Sequence, residues 1–247
     1  MKSALMTWWR GRNCRWFLPL MLPCVCVNLL AAVVEGQVFL RGTPPPEVPV
    51  DLTQFPDCRS VRQAPLTTRH YVAGTNGGLA NVFVFIREGL QGRSFAVSTQ
   101  EVVLDQYECG FHPYVLGVQT GQVLRIKNSE PYLETVHAVA LTNKGFNIAQ
   151  PPNTSARFKF DKQEILLRIK CEIHPWEFAY VGVVEHPFFA VTDARGSFRL
   201  PEGLPPGEYT VEAVHQKLGK QSQTIKVQEG QTVLLKFEFH SPYKATP

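Results

Sequence analysis

From residue 79 to residue 239 the sequence is a succession of short apolar or alternating runs, each closed by a turn, and no stretch beyond a few residues keeps a helical period. Nothing constrains the chain more, because period-two runs bury their apolar faces only by stacking sheet on sheet or closing a barrel. The run 79–86 (LANVFVFI) reads as a buried strand. Further strands are expected at 101–104, 114–118, 122–127, 136–141, 164–170 and 179–184, and then at 197–200, 209–215, 224–227 and 232–239. Tight turns fall at 193–196 and 204–207. Upstream, 38–40 starts a short strand, Pro44, Pro45, Pro46 and Pro49 forbid regular structure after it, and a long polar loop follows to Asn76.

The first 34 residues differ in kind. A basic stretch with Lys2, Arg10, Arg12 and Arg15 runs into an apolar one, 16–34. The expected reading is a signal peptide cut between Ala31 and Gly36; an uncleaved membrane anchor is the alternative. Cys24 and Cys26 lack the small residues that precede a lipid-modified cysteine. Both readings place the rest of the chain outside the cytoplasm, secreted or periplasmic. The net charge of +4 is carried largely by this leader, so the remainder is close to neutral. That excludes the basic stripe that nucleic-acid binding needs. No Ser-His-Asp order, nucleotide loop or His-Glu-x-x-His stands in the chain, so no hydrolase or nucleotide site is expected and an enzyme is the less favoured class.

Two family resemblances cover most of the rest. Residues 191–200 (VTDARGSFRL) and 204–213 (LPPGEYTVEA) resemble the second half of a carboxypeptidase regulatory-like, transthyretin-type sandwich, and 36–42 (GQVFLRG) with 79–86 fit its first half. The block between resembles the cupredoxins of amicyanin type. It carries 121–128 (GQVLRIKN), Phe146-Asn147, Phe158 and Phe160, and above all Cys171-Glu172-Ile173-His174-Pro175-Trp176-Glu177 followed by 179–182 (AYVG). The expected organisation is a leader over 1–36, a first part of the regulatory-like sandwich over 37–98, and a cupredoxin-like insertion over 99–185. The second part of the regulatory-like domain follows over 186–241, with a frayed tail over 242–247. Two consecutive sandwiches are the alternative.

The cupredoxin resemblance implies a copper site with Cys171 as thiolate and His174 as imidazole ligand, since a Cys and a His three apart at a strand end reach one ion. The family's Met position holds Glu177, and its usual strand histidine is replaced by Glu134 in Glu134-Thr135-Val136-His137. His137 takes the slot only if the strand is distorted, because positions 134 and 137 of a regular strand face opposite ways. A thiolate with two carboxylates leaves a divalent ion at a net −1, which favours harder metals and higher oxidation states than a thiolate with two imidazoles. The resemblance makes copper the expected metal, with another transition metal or none as alternatives. Outside the leader the cysteines are Cys58, Cys109 and Cys171, an odd number for an oxidising compartment. A Cys58–Cys109 disulfide with Cys171 on a metal satisfies the count; a merely buried Cys171 is the alternative.

These expectations amount to an extracytoplasmic, cupredoxin-like metal-binding protein with a non-blue site and a redox protein as partner. The alternative is a metal-free module binding carbohydrate or protein. His70, His112, His186, His215 and His240 share no spacing and read as surface or cap residues.

Overall fold

The computed structural model describes residues 32–61 and 64–243. Strands β1 (Val33–Arg41) and β2 (Phe83–Glu88) flank a strap that carries one short helix, α1 (Pro56–Val61). Nine strands follow: β3 (Val102–Tyr107), β4 (Gly110–His112), β5 (Val115–Gln119), β6 (Leu124–Asn128), β7 (Glu134–Val139), β8 (Phe146–Gln150), β9 (Thr154–Phe158), β10 (Glu164–Lys170) and β11 (Phe178–Val184). The last five are β12 (Phe189–Val191), β13 (Ser197–Arg199), β14 (Gly207–His215), β15 (Gly219–Val227) and β16 (Thr232–His240). The fold is nearly all β, with no helix among the described residues long and apolar enough to cross a membrane.

The sheets sort the strands into two sandwiches. The first two strands join the last five, in sheets ordered β13-β1-β16 and β12-β2-β14-β15. Strands β3–β11 form the other pair, ordered β5-β11-β10-β7-β8 and β4-β3-β6-β9. The first core holds Val38, Leu79, Val84, Tyr209, Val211 and Phe237; the second holds Leu104, Phe111, Ile126, Val136, Ile169 and Val181. The 193–196 turn closes as its sequence requires: the Gly196 N–H donates to Asp193 O at 2.9 Å with φ 76°, and an added Cβ would lie 2.1 Å from Val38 O.

A third apolar layer, Phe83, Phe85, Tyr114, Val115 and Val184, joins the two sandwiches. It explains why β2 and β11 read as unbroken apolar runs. Val84 and Ile86 of β2 face the first core while Phe83 and Phe85 face the junction. In β11, Ala179, Val181 and Val183 face the second core, with Tyr180 and Val184 on the junction side. A strand covered on both faces loses its alternation. Gly117 and Gly182, paired across β5 and β11, leave a notch for the Phe83 ring; a Cβ on Gly182 would sit 2.3 Å from it.

Several details differ from the sequence reading. The first strand starts earlier than the expected Val38: Ala32 and Val34 are buried, and β1 pairs with β16 from Val33↔Thr232 onward. Residues 1–31 of the expected leader and 244–247 of the expected tail lie outside the described residues. His186 and His215 are core residues, not surface ones. His186 Nε2 lies 2.7 Å from Ile86 O, and burial pulls the His215 imidazole down to about 4.

One carboxylate fixes the β7–β8 turn. Glu164 accepts from the N–H groups of Leu141, Thr142 and Asn143, from Thr142 Oγ1 and from Asn143 Nδ2, at 2.6–3.1 Å. Burial alone would raise its pKa, but these donors outweigh it and hold it at about 2. A depressed carboxyl pKa stabilises the fold fully above the ordinary value of 4.5, and the contribution is lost as pH falls through about 2. Urea unfolding of wild type and Glu164→Gln should therefore differ by about 1.5–3 kcal/mol at pH 7, converging as pH drops from 4.5 toward 2. A gap that is independent of pH would refute this.

Candidate metal centre

The ligand loop is built by its own backbone. After β10 ends, the Cys171 N–H donates to Glu177 O and the Glu177 N–H to His174 O, each at 2.9 Å. This tight closure turns positions 171, 174 and 177 inward. Glu172 points out, its N–H anchored by Thr135 Oγ1 at 2.7 Å and its carboxylate paired with Lys170 and His137. Across the loop, β7 alternates buried and half-buried from Glu134, so Glu134 faces in and His137 out. The structure thus places Glu134 on the inner side of the loop and His137 on its outer side, against Glu172.

All four expected donors come together. One ligand atom each from Glu134, Cys171, His174 and Glu177 lies within 4.8 Å of the others, and all four residues are buried. His174 Nδ1 is 3.1 Å from Glu134 Oε1, 3.2 Å from Glu177 Oε1 and 3.8 Å from Cys171 Sγ. Cys171 Sγ is 3.0 Å from Glu134 Oε2. Ligands held at about 2.0–2.3 Å around a tetrahedral ion are separated from each other by roughly 3.3–3.8 Å. The 3.8 Å spacing from Nδ1 to Sγ falls in that range, and the spacings of 3.0–3.2 Å to the carboxylate oxygens lie a few tenths of an ångström below it.

The hydrogen-bond pattern points the same way. One ring nitrogen carries at most one proton, yet Nδ1 faces two carboxylates and a sulfur. Glu134 Oε1 and Glu177 Oε1 are buried without a well-directed hydrogen bond despite their closeness to it. A cation at their centre satisfies all of these atoms at once, so the donor set fits a metal ion. Around it, Gln106 Nε2 donates to Glu134 Oε2 at 3.3 Å and Glu177 Oε2 at 3.2 Å. The N–H groups of Ile173 and His174 donate to Cys171 Sγ at 3.2 and 3.4 Å. Outer-shell donors of this kind orient ligands and stabilise a thiolate.

Without an ion, His174 supplies the missing charge. Burial opposes its protonation, but hydrogen bonding to Cys171, Glu134 and Glu177 prevails and raises it to about 12. Its stabilising contribution to the metal-free fold is present in full below pH 6.5 and is lost as pH rises through about 12. Glu177 is raised, first by burial and then by the nearby Glu134 carboxylate. An ion held by these four residues would take the place of the His174 proton. Metal uptake at pH 7 should release about one proton or more per ion, read by calorimetry in buffers of different ionisation enthalpy. Uptake with no proton release would show that the imidazole is not a ligand.

A cap closes the site. The Cys58–Cys109 disulfide joins α1 to the turn before β4, and Phe55 lies edge-on to the rings of His174 and Trp176 at 5.5 and 4.6 Å. Trp176, half-buried, packs beneath this cap and donates its indole N–H to Cys109 O at 3.1 Å. His112 lines a cavity of about 370 Å³ together with Cys109, Pro175, Trp176 and Phe178. Gln106, Thr135, Tyr132 and Phe55 are site residues that the sequence reading passes over.

No family model matches the chain, and no curated protein does. Among solved structures it is similar to the Cu-containing nitrite reductase (NirK) from Thermus scotoductus SA-01, with 18% identity and a TM-score of 0.33 over 36% of this chain. That match spans 24% of the reductase chain, about a quarter of its length. It is also similar to a methionine-to-glutamine mutant of amicyanin in its Cu(I) form, with 21% identity and a TM-score of 0.31 over 34% of this chain and 81% of that one. A purple cupredoxin from Nitrosopumilus maritimus matches with 15% identity and a TM-score of 0.28 over 33% of this chain and 97% of that one.

Proposed function

We propose that the chain is an extracytoplasmic, cupredoxin-like protein that holds one transition-metal ion, copper first, and exchanges single electrons with a redox partner. The observation that carries this reading is the convergence of four buried donors, of which two carboxylate oxygens lack a well-directed hydrogen bond. Cys171 and His174 are the sulfur and nitrogen ligands, and Glu134 and Glu177 the oxygen ligands. Copper bound there supplies a one-electron couple. The residues do the rest: Gln106 fixes both carboxylates, the 171–177 backbone fixes the thiolate and imidazole, and the capped sandwich excludes water. Carrying the expected net −1 with a divalent ion, the set disfavours the reduced state, since each added electron deepens an uncompensated buried charge. The seven-stranded outer sandwich is proposed as the carboxypeptidase regulatory-like unit, and the disulfide supports an oxidising compartment.

A second reading has its own support. Protonated His174 between two carboxylates already forms an internally paired cluster, so the same geometry serves a metal-free binding or scaffolding module. Metal analysis after Cu(II) loading separates the two. Wild type should retain about one ion and Cys171→Ala none; equal retention by both, or by neither, defeats the metal reading.

A further inference from the structure

The Cys58–Cys109 disulfide is more than a staple on the cap, because its sulfurs belong to a second cluster of donors. One ligand atom each from Cys58, Cys109 and Glu177 lies within 4.8 Å of the others, and all three residues are buried. We propose that, once this disulfide is reduced, Cys58, Cys109 and Glu177 form a second metal site for a thiophilic divalent ion of zinc type. Cys171 and His174 take no part, so the proposal goes beyond the copper reading and stands without it.

Three features fit the assignment. Glu177 places Oε2 3.2 Å from Gln106 Nε2 and Oε1 3.2 Å from His174 Nδ1, and its carboxylate belongs to both clusters of donors. The Tyr132 hydroxyl lies 2.7 Å from Cys109 Sγ and 3.9 Å from Cys58 Sγ, where it offers a fourth, oxygen donor. The backbone around the pair is held by contacts that do not depend on the S–S bond. Cys109 N–H donates to Glu130 Oε1 at 2.6 Å, Cys109 O accepts from Trp176, and Phe55 packs next to α1 against His174 and Trp176. Opening the bridge therefore leaves two thiols in place beside a carboxylate. Two thiolates on one tetrahedral ion sit about 3.7 Å apart, a separation reached by side-chain rotation from Cα atoms 5.6 Å apart.

The chemistry balances with a dithiol or phosphine as reductant. Two electrons and two protons break the S–S bond and give two thiols, while a dithiol becomes its own disulfide and a phosphine its oxide, with oxygen taken from water. The ion then displaces both thiol protons to solvent. Two thiolates and one carboxylate leave a divalent ion at −1, and two sulfurs favour zinc-type ions over calcium or magnesium.

The test uses full-length Cys171→Ala protein, oxidised or reduced on immobilised phosphine, titrated with Co(II) as a spectroscopic substitute for Zn(II). Reduced protein should take up about one equivalent with a thiolate-to-cobalt band in the near ultraviolet, and oxidised protein none. Glu177→Gln in the same background should weaken reduced-state binding at least tenfold, equivalent to about 1.4 kcal/mol. No thiolate band on reduction, or Co(II) bound equally tightly by the Glu177→Gln variant, overturns the proposal. Near-ultraviolet circular dichroism monitors the fold. A native signal that reduction abolishes and Zn(II) fails to restore also overturns it, and restoration by Zn(II) supports it. If oxidised wild type retains no copper while reduced Cys171→Ala binds Co(II), only the copper reading falls.

Discussion

Phe83→Ala should destabilise the protein by about 3–5 kcal/mol, among the largest losses any single truncation in this chain produces. Phe83 is fully buried, stacks on Phe85 at 5.5 Å, packs against Phe189 at 5.8 Å, and fills the notch left by Gly117 and Gly182. Truncation leaves a void that the notch cannot close, because both facing positions are glycines in hydrogen-bonded strands. The loss falls at the junction between the sandwiches, so a second consequence follows. Differential scanning calorimetry should show one transition for wild type and two for the variant, as the coupling between the units weakens. Gly182→Leu in the Phe83→Ala background should recover part of the loss by refilling the notch from the other side. A cost below about 1 kcal/mol, or no rescue, would mean the junction is less closely packed than its geometry indicates.

Exchanging both carboxylates for the ligands expected of a blue-copper site should change the centre's character. With Glu134→His and Glu177→Met, the net charge of a divalent centre shifts from −1 to +1. Wild type loaded with Cu(II) should lack an intense blue band, because oxygen donors draw the ion toward a tetragonal arrangement and lengthen the thiolate bond. The double variant should gain that band. Its preference for Cu(I) over Cu(II) should rise at least tenfold, a shift of about 59 mV or more upward in potential. Some stability is lost in exchange, since Gln106 Nε2 loses both carboxylate acceptors. A wild type that is already blue would show that a second imidazole reaches the ion. That requires His137 to leave its outward pairing with Glu172.

How much of this is legible in the sequence depends on how local each signal is. The ligand loop is readable through its resemblance to the cupredoxin loop, and the three-residue spacing of Cys171, His174 and Glu177 agrees with their shared inward direction in one closed turn. Glu134 is marked by the same resemblance, as the occupant of the family's histidine slot, and strand alternation separates it from His137. Gln106 escapes notice although a signal exists: it shares the inward register of Leu104, so a fully buried polar side chain has to find partners. Tyr132 and Phe55 leave no such trace, because they arrive through a turn and the strap and are placed by tertiary packing. The start of β1 is misread for a different reason. Val33 and Val34 continue the apolar character of the segment before them, and only pairing with β16 separates strand from leader. Strands β8 and β9 show only through isolated aromatics, Phe146 and Phe158, whose rings stack at 3.6 Å.

The parallel pairing of β1 with β16 also dictates an order of assembly. Val33 meets Thr232 and Arg41 meets His240, so the first strand waits for the last before its sheet is complete. Closing a loop that long costs entropy early and returns contacts late, whereas β3–β11 are contiguous and need nothing outside themselves to pair. On a chain emerging from its amino end, the inner sandwich can fold and bring its ligand loop together while β1 and β2 are still unpaired. Until the final strand arrives, the exposed edge and apolar face of β1 are open to wrong partners. Truncations that remove β16 should therefore aggregate through β1.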